Sequence, residues 1–324
     1  MKKPPFELTS KILLLVSEIQ TILGSLSGAT LQVKPSLRLR KENKIKTVHH
    51  SLAIEGNTLD KNQVTALLEN KRVIGPRVQI IEVVNALELY GQLPSFKPLN
   101  EKDLLKAHRI LMAKLMDHPG RYRSTAVGIL KGSVVSRMAP PAKLVPHLMT
   151  NLFTYLKTNK ETPFLIKACV FHYELEFIHP FSDGNGRMGR LWQQLILMQH
   201  SPVFEYLAVE SWIHKEQKKY YSALEKSDVA GSSTLFIEFS LETILEELKL
   251  FMKQFRPTKL GIADRIDLAI QHFNRSSFSR KDYQLFHKNI SAPTASRDLA
   301  QAVKEKRLIL EGTKATAIYR EKTK

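Results

Sequence analysis

The chain has 324 residues, 43% of them hydrophobic, which is enough for two or three packed units with cores of their own. Its 49 lysines and arginines against 31 aspartates and glutamates give a formal net charge of +18, which suits acidic partners such as a nucleotide, a nucleic acid or an acidic protein surface. The single cysteine, Cys169, excludes a disulfide framework within the chain, and the lack of an apolar run of about eighteen residues argues against a membrane span, so we expect a cytoplasmic protein.

The first motif in chain order is Ser-Leu-Ala-Ile-Glu-Gly-Asn at 51–57. Ser51 and Glu55 are about one helical turn apart and so share one face of a helix, and the Gly-Asn pair that follows is typical of a helix end. Asp60 and Gln63 have the spacing of a capping box that opens the next helix. Taken alone, this pattern indicates an ordinary helix that ends in a surface glutamate.

A β-hairpin is predicted in the middle of the chain. Two short apolar runs, 127–130 and 134–135, lie on either side of Lys131-Gly132, and apolar runs about a glycine turn are typical of a hairpin. Pro140-Pro141 would close it. The simplest interpretation is a structural hairpin with no partner of its own.

The most informative segment is 179–190, with the sequence His-Pro-Phe-Ser-Asp-Gly-Asn-Gly-Arg-Met-Gly-Arg. Its histidine has a proton affinity suited to general base catalysis near neutral pH, and its aspartate is a hard oxygen ligand for a divalent metal. The glycine-rich turn can direct backbone N–H groups at one point as an anion nest, and the arginines are planar phosphate donors. Each feature alone is more often structural, but together they indicate a nucleotide phosphate site. The candidate residues are His179, Asp183, Gly184, Asn185, Gly186, Arg187 and Arg190.

Two better-known phosphate and metal motifs are excluded. The segment lacks the Gly-Lys-Ser/Thr ending of a P-loop. It is not an EF-hand, because Arg187 and Gln194 occupy positions where that loop needs metal ligands.

Helices are predicted on both sides of this segment. Apolar residues at three- and four-residue spacing from 166 to 177 indicate an amphipathic helix, and the pattern continues over 191–196. The start of the second helix would then face the anion, where the helix dipole and free N–H groups favour it. Cys169 lies on the apolar face of the first helix, so we expect a buried structural thiol. A further helix is predicted over 237–251.

The C-terminal region has a different composition. Residues 259–324 contain fourteen lysines and arginines against seven aspartates and glutamates, and Arg256-Pro257-Thr258 breaks the helical pattern ahead of them. Ser291-Ala292-Pro293-Thr294 predicts a helix start with proline in the first turn. Apolar runs at 308–310 and 317–319 predict two strands.

The segment 179–190 matches His-Pro-Phe-x-Asp-Gly-Asn-Gly-Arg-x-x-Arg at every fixed position, and the chain therefore resembles the Fic-domain proteins. Most of these are enzymes that transfer AMP from ATP to a hydroxyl side chain of a protein and release pyrophosphate. The resemblance implies that His179 takes the proton of the target Ser, Thr or Tyr hydroxyl and that Asp183 holds Mg²⁺. It also implies that Gly184, Asn185 and Gly186 form an anion nest. Arg187 and Arg190 would hold the β- and γ-phosphates.

Position 186 bears on which group is transferred. In the related Doc proteins, which transfer the γ-phosphate, a lysine commonly occupies this place. Gly186 is intact here, and this favours nucleotide transfer over phosphorylation.

The motif at 51–57 resembles the inhibitory motif of the same family, Ser/Thr-x-x-x-Glu-Gly/Asn, with Ser51 and Glu55 at its fixed positions. The resemblance implies that Glu55 pairs with Arg190 and prevents the γ-phosphate from docking productively. In some relatives the same glutamate aligns a water molecule for removal of AMP, so a reverse activity is a further expectation.

Two other regions acquire roles from the resemblance. In Fic proteins the hairpin is a flap that aligns the target segment by strand addition, and here it would be lined by Val135, Ser136, Arg137 and Met138. Tyr220 and Tyr221 stand where the family has a tyrosine pair near the adenine and ribose, although aromatic pairs are ordinarily core residues. An asparagine often found seven residues later is Asp228 here, which leaves one nucleotide contact without its usual residue.

Together these patterns predict a mainly α protein: a Fic-type helical bundle with a β-hairpin flap, plus a small C-terminal winged-helix-like domain of the kind that several Fic proteins carry. We expect an N-terminal helical region with the inhibitory motif over residues 1–98, the catalytic core over 99–255 and the winged-helix-like domain over 256–324. The basic stretch 34–46 is most simply a solvated linker.

The leading hypothesis is a protein adenylyltransferase that uses Mg²⁺ and ATP, modifies a target protein or itself, and is restrained by Glu55. One alternative is a DNA-binding regulator with a nucleotide-sensing Fic site, which would contact DNA through residues 257–324, with Thr294, Ser296 and Arg297 at the duplex. Another is removal of AMP or transfer of a different phosphate-containing group at the same site. A protein-interaction or dimerisation wing is the simpler role for the C-terminal domain; a homodimer is a further expectation, and no membrane partner is expected.

Overall fold

The computed structural model describes residues 3–30, 37–131, 134–254, 261–273, 276–287, 290–313 and 316–322. Within these residues the chain forms fourteen α-helices and five β-strands, which confirms the predicted mainly α fold. The described residues divide into two compact units, the first drawn from those within 3–23 and 37–254 and the second from those within 24–30 and 261–322. None of the described helices is both long enough and apolar enough to cross a membrane.

The first unit is a bundle of helices with one hairpin inserted. The hairpin consists of strands β1 (Gly128–Lys131) and β2 (Val134–Met138). The helices that lie or begin in this unit are α1 (Ser10–Thr30), α2 (Leu37–Ile54), α3 (Lys61–Leu68), α4 (Arg77–Gln92), α5 (Glu101–Leu111), α6 (Val145–Thr158), α7 (Phe164–Ile178), α8 (Asn185–His200), α9 (Val209–Lys215), α10 (Gln217–Ala230) and α11 (Thr234–Gln254).

Helices α7 and α8 pack against each other in the core of the bundle. Phe171 on α7 and Trp192 on α8 are completely buried, and Cys169 is buried as predicted. Burying a side chain of this size stabilises a fold by about 1.5–3 kcal/mol, so the two helices are held firmly in the core. The Trp192 indole N–H also donates to the Pro98 carbonyl at 3.0 Å. The 179–184 loop therefore connects two rigidly packed helices.

The prediction of a solvated linker is wrong for residues 37–46, which form the first half of α2; positions 34–36 lie outside the described residues. Ile45 and Val48 are buried at helical spacing, and the Asn43 side-chain amide donates to the Tyr206 carbonyl at 2.5 Å. This helix was not predicted because its many lysines and arginines leave only a narrow apolar stripe. Such a stripe gives a weak periodic signal in the sequence.

The end of α2 and the start of α3 follow the predicted signals. Gly56 has φ +91°, a conformation that glycine adopts without strain. The Asp60 carboxylate accepts the backbone N–H groups of Asn62 and Gln63, and the Gln63 side chain accepts the Asp60 N–H at 2.9 Å. The predicted capping box is thus present.

The predicted hairpin is also present. Strands β1 and β2 are antiparallel, with Gly128 opposite Met138 and an irregularity in register between Ile129 and Leu130. Met138 is exposed. The side chains of the other three proposed flap residues, 135–137, lie outside the described residues.

The second unit contains α12 (Ile262–His272), α13 (Arg280–Phe286), α14 (Ala292–Lys304) and strands β3 (Phe278–Ser279), β4 (Leu308–Glu311) and β5 (Ile318–Glu321). The strands form an antiparallel sheet in the order β3-β5-β4.

A buried carboxylate, that of Asp298, forms an ion pair in this unit. Arg265 donates to both carboxylate oxygens of Asp298, at 2.6 and 2.8 Å, and the Tyr283 hydroxyl donates to the same carboxylate. The predicted start of α14 is confirmed, because the Ser291 side chain accepts from the Thr294 N–H. The break predicted at 256–258 lies outside the described residues.

Candidate active site

The loop between α7 and α8 turns sharply at both ends. His179 ends α7 in the left-handed region, with φ 51° and ψ 61°, which is uncommon for a residue other than glycine. Gly184 precedes α8 with φ +83°. A Cβ atom at Gly184 would come within 2.9 Å of the Met112 sulfur, so a larger residue would also have to displace that side chain; the backbone conformation favours glycine there.

Arg123 fastens the loop to the base of the hairpin. Its buried guanidinium donates to the carbonyls of His179 at 2.7 Å, Thr125 at 2.9 Å and Pro140 at 2.5 Å. The Arg123 N–H also donates to the Pro180 carbonyl at 2.9 Å. Sequence reasoning did not single out this residue, because nothing in the local sequence shows that an arginine will fold inward against distant carbonyls.

His108 supports the loop from the other side. Its ring stacks on the fully buried Phe181 with centroids 3.7 Å apart. Because the Gly120 N–H donates to Nδ1 at 2.8 Å, we assign the ring proton to Nε2, which then donates to the Asp183 carbonyl at 3.0 Å. Burial lowers the pKa of His108 to about 4, so the ring is a neutral structural support that the sequence did not reveal.

The Asn185 side chain closes the loop. Its Oδ1 accepts the Phe181 N–H and its Nδ2 donates to the Phe181 carbonyl, both at 2.9 Å. Asn185 is also the first residue of α8, and the first N–H groups of a helix have no partner within the helix. The loop thus presents a helix N-terminus, the arrangement that favours binding of a phosphate.

The His179 side chain is mostly covered, with 20% of it exposed. Its Nδ1 lies 3.4 Å from the Glu176 carbonyl and 4.0 Å from Glu176 Oε2. We assign the proton to Nδ1 on the basis of these two acceptors. Nε2 is then the basic nitrogen that can accept a proton.

Arg187 lies between two carboxylates. It donates to Glu82 at 3.0 Å and to Asp183 at 3.3 Å, and its buried Nε has no hydrogen-bond partner among the described residues. Glu82 also accepts from the Asn57 side chain at 2.8 Å, which links the loop to the segment after α2. Glu82 lies on α4, far away in the sequence, and no local signal pointed to it.

Arg190 is held by the end of α2. Its Nη2 donates to Glu55 Oε1 at 2.7 Å and to the Ser51 carbonyl at 3.0 Å, while its Nε lies 3.4 Å from Ser51 Oγ. Burial acts most strongly against the charge, but the combined effect of Glu55, Tyr220 and Glu176 outweighs it and raises the pKa of Arg190. A Cβ at Gly186 would sit 2.6 Å from Glu55 Oε1, so this close approach depends on the glycine.

The two tyrosines have different surroundings. Tyr220 is buried, and its hydroxyl lies 3.1 Å from His172 Nε2 and 3.4 Å from Glu176 Oε1. Tyr221 is 43% exposed and lies beside the last turn of α2, with its hydroxyl 3.5 Å from the Ile54 carbonyl. Only Tyr221 thus presents a substantial part of its ring to solvent. The Asp228 carboxylate is engaged by the hydroxyl of Tyr173 at 3.0 Å.

The loop offers a single exposed carboxylate for a metal. Two thirds of the Asp183 side chain is exposed, and among the described residues no group of three or more His, Cys, Asp or Glu could hold a metal ion. Mg²⁺ is commonly bound by one or two carboxylates together with phosphate oxygens and water. The residues present therefore fit Mg²⁺ held jointly with a nucleotide.

Comparisons with known proteins agree with this geometry. The Fic/DOC family model matches residues 98–197, which include the loop and most of α8. The chain is 31% identical over 207 residues to protein adenylyltransferase Fic of Nematostella vectensis, covering 60% of this chain and 46% of that protein. It is 30% identical over 234 residues to protein adenylyltransferase Fic of Culex quinquefasciatus, covering 66% and 43%. The chain thus spans less than half the length of these curated relatives.

A solved structure matches over the whole chain. A Fic family protein from Desulfovibrio desulfuricans G20 is 38% identical and superposes with a TM-score of 0.73, covering 100% of this chain and 99% of that one. A match of this extent and identity, together with the family model on the loop-bearing region, establishes the relationship. The chain belongs to the Fic family.

Proposed function

We propose that the protein is an adenylyltransferase that moves AMP from ATP to a hydroxyl side chain of a protein. The observation that carries the proposal is the 179–184 loop, which holds a histidine, a carboxylate and a helix N-terminus in one rigid turn beside two buried arginines. Such a site suits a reaction in which positioning and charge stabilisation supply most of the rate. The adenylyltransferase names of the relatives support the same chemistry.

In this mechanism His179 Nε2 accepts the proton of the target hydroxyl as its oxygen bonds to the α-phosphorus. The bond from that phosphorus to the bridging oxygen of the β-phosphate breaks, and pyrophosphate leaves. The hydrogen bonds from Arg123 fix the His179 backbone, and Glu176 orients its ring. Both contacts reduce the motion that the base must lose to reach the transition state.

The phosphates would be bound by the N-terminus of α8. The backbone N–H groups of Gly184, Asn185 and Gly186 would form the nest once the Gly184 N–H leaves the Asp183 carboxylate, to which it donates at 2.6 Å. Arg187 adds a guanidinium held in place by Glu82. Asp183 would hold Mg²⁺, which neutralises phosphate charge when it is bound. The nest fits this role because helix N-termini combine free donors with a favourable dipole.

Glu55 restrains this site in our proposal. Arg190 is the guanidinium expected to bind the γ-phosphate, and Glu55 and Ser51 already occupy the donors of its Nη2. A phosphate must displace the carboxylate before it can use Arg190. A charge-assisted hydrogen bond is worth about 1.5–3 kcal/mol, so the contact reduces the competent population considerably without abolishing it. The same Glu55 could align water for AMP removal.

The remaining predicted regions have supporting roles in this proposal. Strand β2 aligns the target segment by strand addition, with residues 135–138 along its edge. Tyr221 lies against the nucleotide, whereas Tyr220 acts from the core through its hydroxyl. The second unit acts as the winged-helix-like domain, whose three-stranded sheet and α14 suit that description.

Intact-mass spectrometry tests the proposed transfer. Glu55→Gly protein would be incubated with Mg²⁺ and ATP and examined for self-modification, with the Glu55→Gly/His179→Ala double variant as the matched control. We expect a mass increase of one adenylyl group that the double variant lacks. An increase of one phosphoryl group would instead establish phosphorylation.

A DNA-binding regulator is the second candidate, since the C-terminal region carries seven more basic than acidic residues and Arg297 is exposed near the start of α14. Charge alone gives DNA binding that falls steeply with salt. Retention on a specific DNA sequence at moderate salt, lost in Arg297→Gln, would favour this role. Binding that disappears at moderate salt would exclude it.

A further inference from the structure

A cavity of about 470 Å³ lies in the first unit, away from the 179–184 loop. Its size is within the range of small-molecule sites. It opens between α2, α4 and α8, and its walls include Arg40, Lys44, Thr47, Tyr90, Gln194 and Met198.

The α2 wall of this cavity is strongly basic. Arg40, Lys41 and Lys44 line it, against one lining carboxylate, Glu205. Lys41 is paired with Glu69 at 2.7 Å, but the Lys44 ammonium has no hydrogen-bond or ion-pair partner among the described residues. Burial lowers the pKa of Lys44, because a half-buried ammonium without a counter-ion is poorly solvated. An anion in the cavity would supply that missing partner.

The opposite wall offers a polar atom without a partner. Gln194 is 6% exposed, and its Nε2 donates to the Phe204 carbonyl at 3.1 Å, while its buried Oε1 accepts no hydrogen bond from the described residues. Unsatisfied buried acceptors are rare in folded proteins. The rest of the wall is largely apolar, with Leu68, Leu93 and Met198. An anionic group therefore matches Lys44 and an apolar ring matches the apolar part of the opposite wall. Gln194 Oε1 is an acceptor and needs a donor, which the P–OH group of a monoprotonated phosphomonoester can supply.

Helices α2 and α8, which border the cavity, also carry the contact between Glu55 and Arg190. Gln194 lies about one turn beyond Arg190 on α8, and Lys44 lies about two turns before Ser51 on α2. Residues at these spacings lie on the same helical face. The cavity and the Arg190–Glu55 contact are thus successive parts of one α2–α8 interface.

Tyr90 connects the cavity to the inhibitory motif. It lines the cavity, and its hydroxyl donates to the buried Glu210 at 2.9 Å. Burial raises the pKa of Tyr90, and the nearby Ser51 side chain opposes that shift. Ser51 in turn contacts Arg190 through its carbonyl at 3.0 Å. A group that fixes Tyr90 therefore acts on the residues that hold Arg190.

We propose that this cavity is an effector site for a small phosphomonoester carried on an apolar ring, and that the bound ligand strengthens the Glu55–Arg190 contact. A ligand that touches α2 on one side and α4 and α8 on the other binds fully only when α2 is packed. It therefore shifts the population toward the packed, inhibited arrangement. The effect on activity rests on the proposed function, whereas the binding and the effect on α2 do not.

Binding is tested by isothermal titration calorimetry with phenyl phosphate as the probe. We expect Lys44→Met to weaken binding about tenfold or more, as for loss of one charge-assisted hydrogen bond. Lys46→Met is the matched control, because Lys46 is also on α2 but does not line this cavity; its affinity should equal that of the wild type. Equal affinities for all three proteins would overturn the site. Inorganic phosphate binding as tightly as phenyl phosphate would overturn the assignment of an apolar ring.

Coupling is tested by hydrogen exchange over residues 49–56, a readout that needs no catalytic activity. Phenyl phosphate should slow exchange there in the wild type and leave Lys44→Met unchanged. Unchanged or faster exchange in the saturated wild type would overturn the coupling. In the transfer assay the probe should lower the rate of the wild type but not of Glu55→Gly; equal inhibition of both would contradict an action through Glu55.

Discussion

Replacing Glu55 by glutamine isolates the charge in the inhibitory contact. Glu55 Oε1 accepts from Arg190 at 2.7 Å, and 33% of the Glu55 side chain is exposed. A charge-assisted hydrogen bond is worth about 1.5–3 kcal/mol, but partial exposure screens it, so we take about 1–2 kcal/mol. Glutamine keeps a neutral acceptor and recovers part of this. We therefore expect an increase of about three- to tenfold in transfer rate at subsaturating ATP.

The assay compares initial rates of AMP transfer for the wild type, Glu55→Gln and Glu55→Gly. Glu55→Gly removes both the charge and the acceptor and should be the fastest, with glutamine between it and the wild type. Glu88→Gln, an exposed change on α4, is the control for a general effect of removing a carboxylate. Equal rates for all variants, with unchanged folding, would refute the inhibitory role of Glu55.

Three further predictions concern the loop. His179→Ala should abolish transfer while leaving ATP affinity, measured by calorimetry, largely unchanged, because the side chain acts on the target proton. Arg123→Met should lower the melting temperature by removing the donors that tie the His179 carbonyl of the loop to the Thr125 and Pro140 carbonyls at the base of the hairpin, at a cost of about 3 kcal/mol or more. The exposed Arg121→Met should not lower it. Folding lowers the pKa of His108 from 6.5 to about 4, so between these pH values the unfolded chain binds a proton that the folded chain does not. The free energy of unfolding should therefore fall by up to ~3 kcal/mol as the pH drops from about 6.5 to 4. Urea titrations at several pH values should show a smaller loss for His108→Gln.

Much of the fold was predictable because its signals are local. The capping box at Asp60 and the proline-containing start of α14 depend on residues within one turn, and both are present. The hairpin and the helices around the 179–190 segment follow from short apolar patterns. The start of α2 was missed because its basic residues mask a narrow apolar stripe.

The support of the loop was not predictable in the same way. Arg123, His108 and Glu82 reach the loop from segments distant in the sequence, and each acts through contacts to backbone or to another side chain. No local spacing encodes such contacts. The proximity of Glu55 to Arg190 was expected only through the family resemblance. In the structure Arg190 Nη2 donates to Glu55 Oε1 at 2.7 Å. Its inhibitory effect stays a prediction.

The most direct test of the proposed activity compares ATP labelled at the α-phosphate with ATP labelled at the γ-phosphate. Wild type, Glu55→Gly and His179→Ala would each be incubated with Mg²⁺ and cell lysate. We predict protein labelling from the α-label alone, strongest with Glu55→Gly and absent with His179→Ala. Labelling from the γ-label, or α-labelling that persists in His179→Ala, would contradict adenylyl transfer by this site.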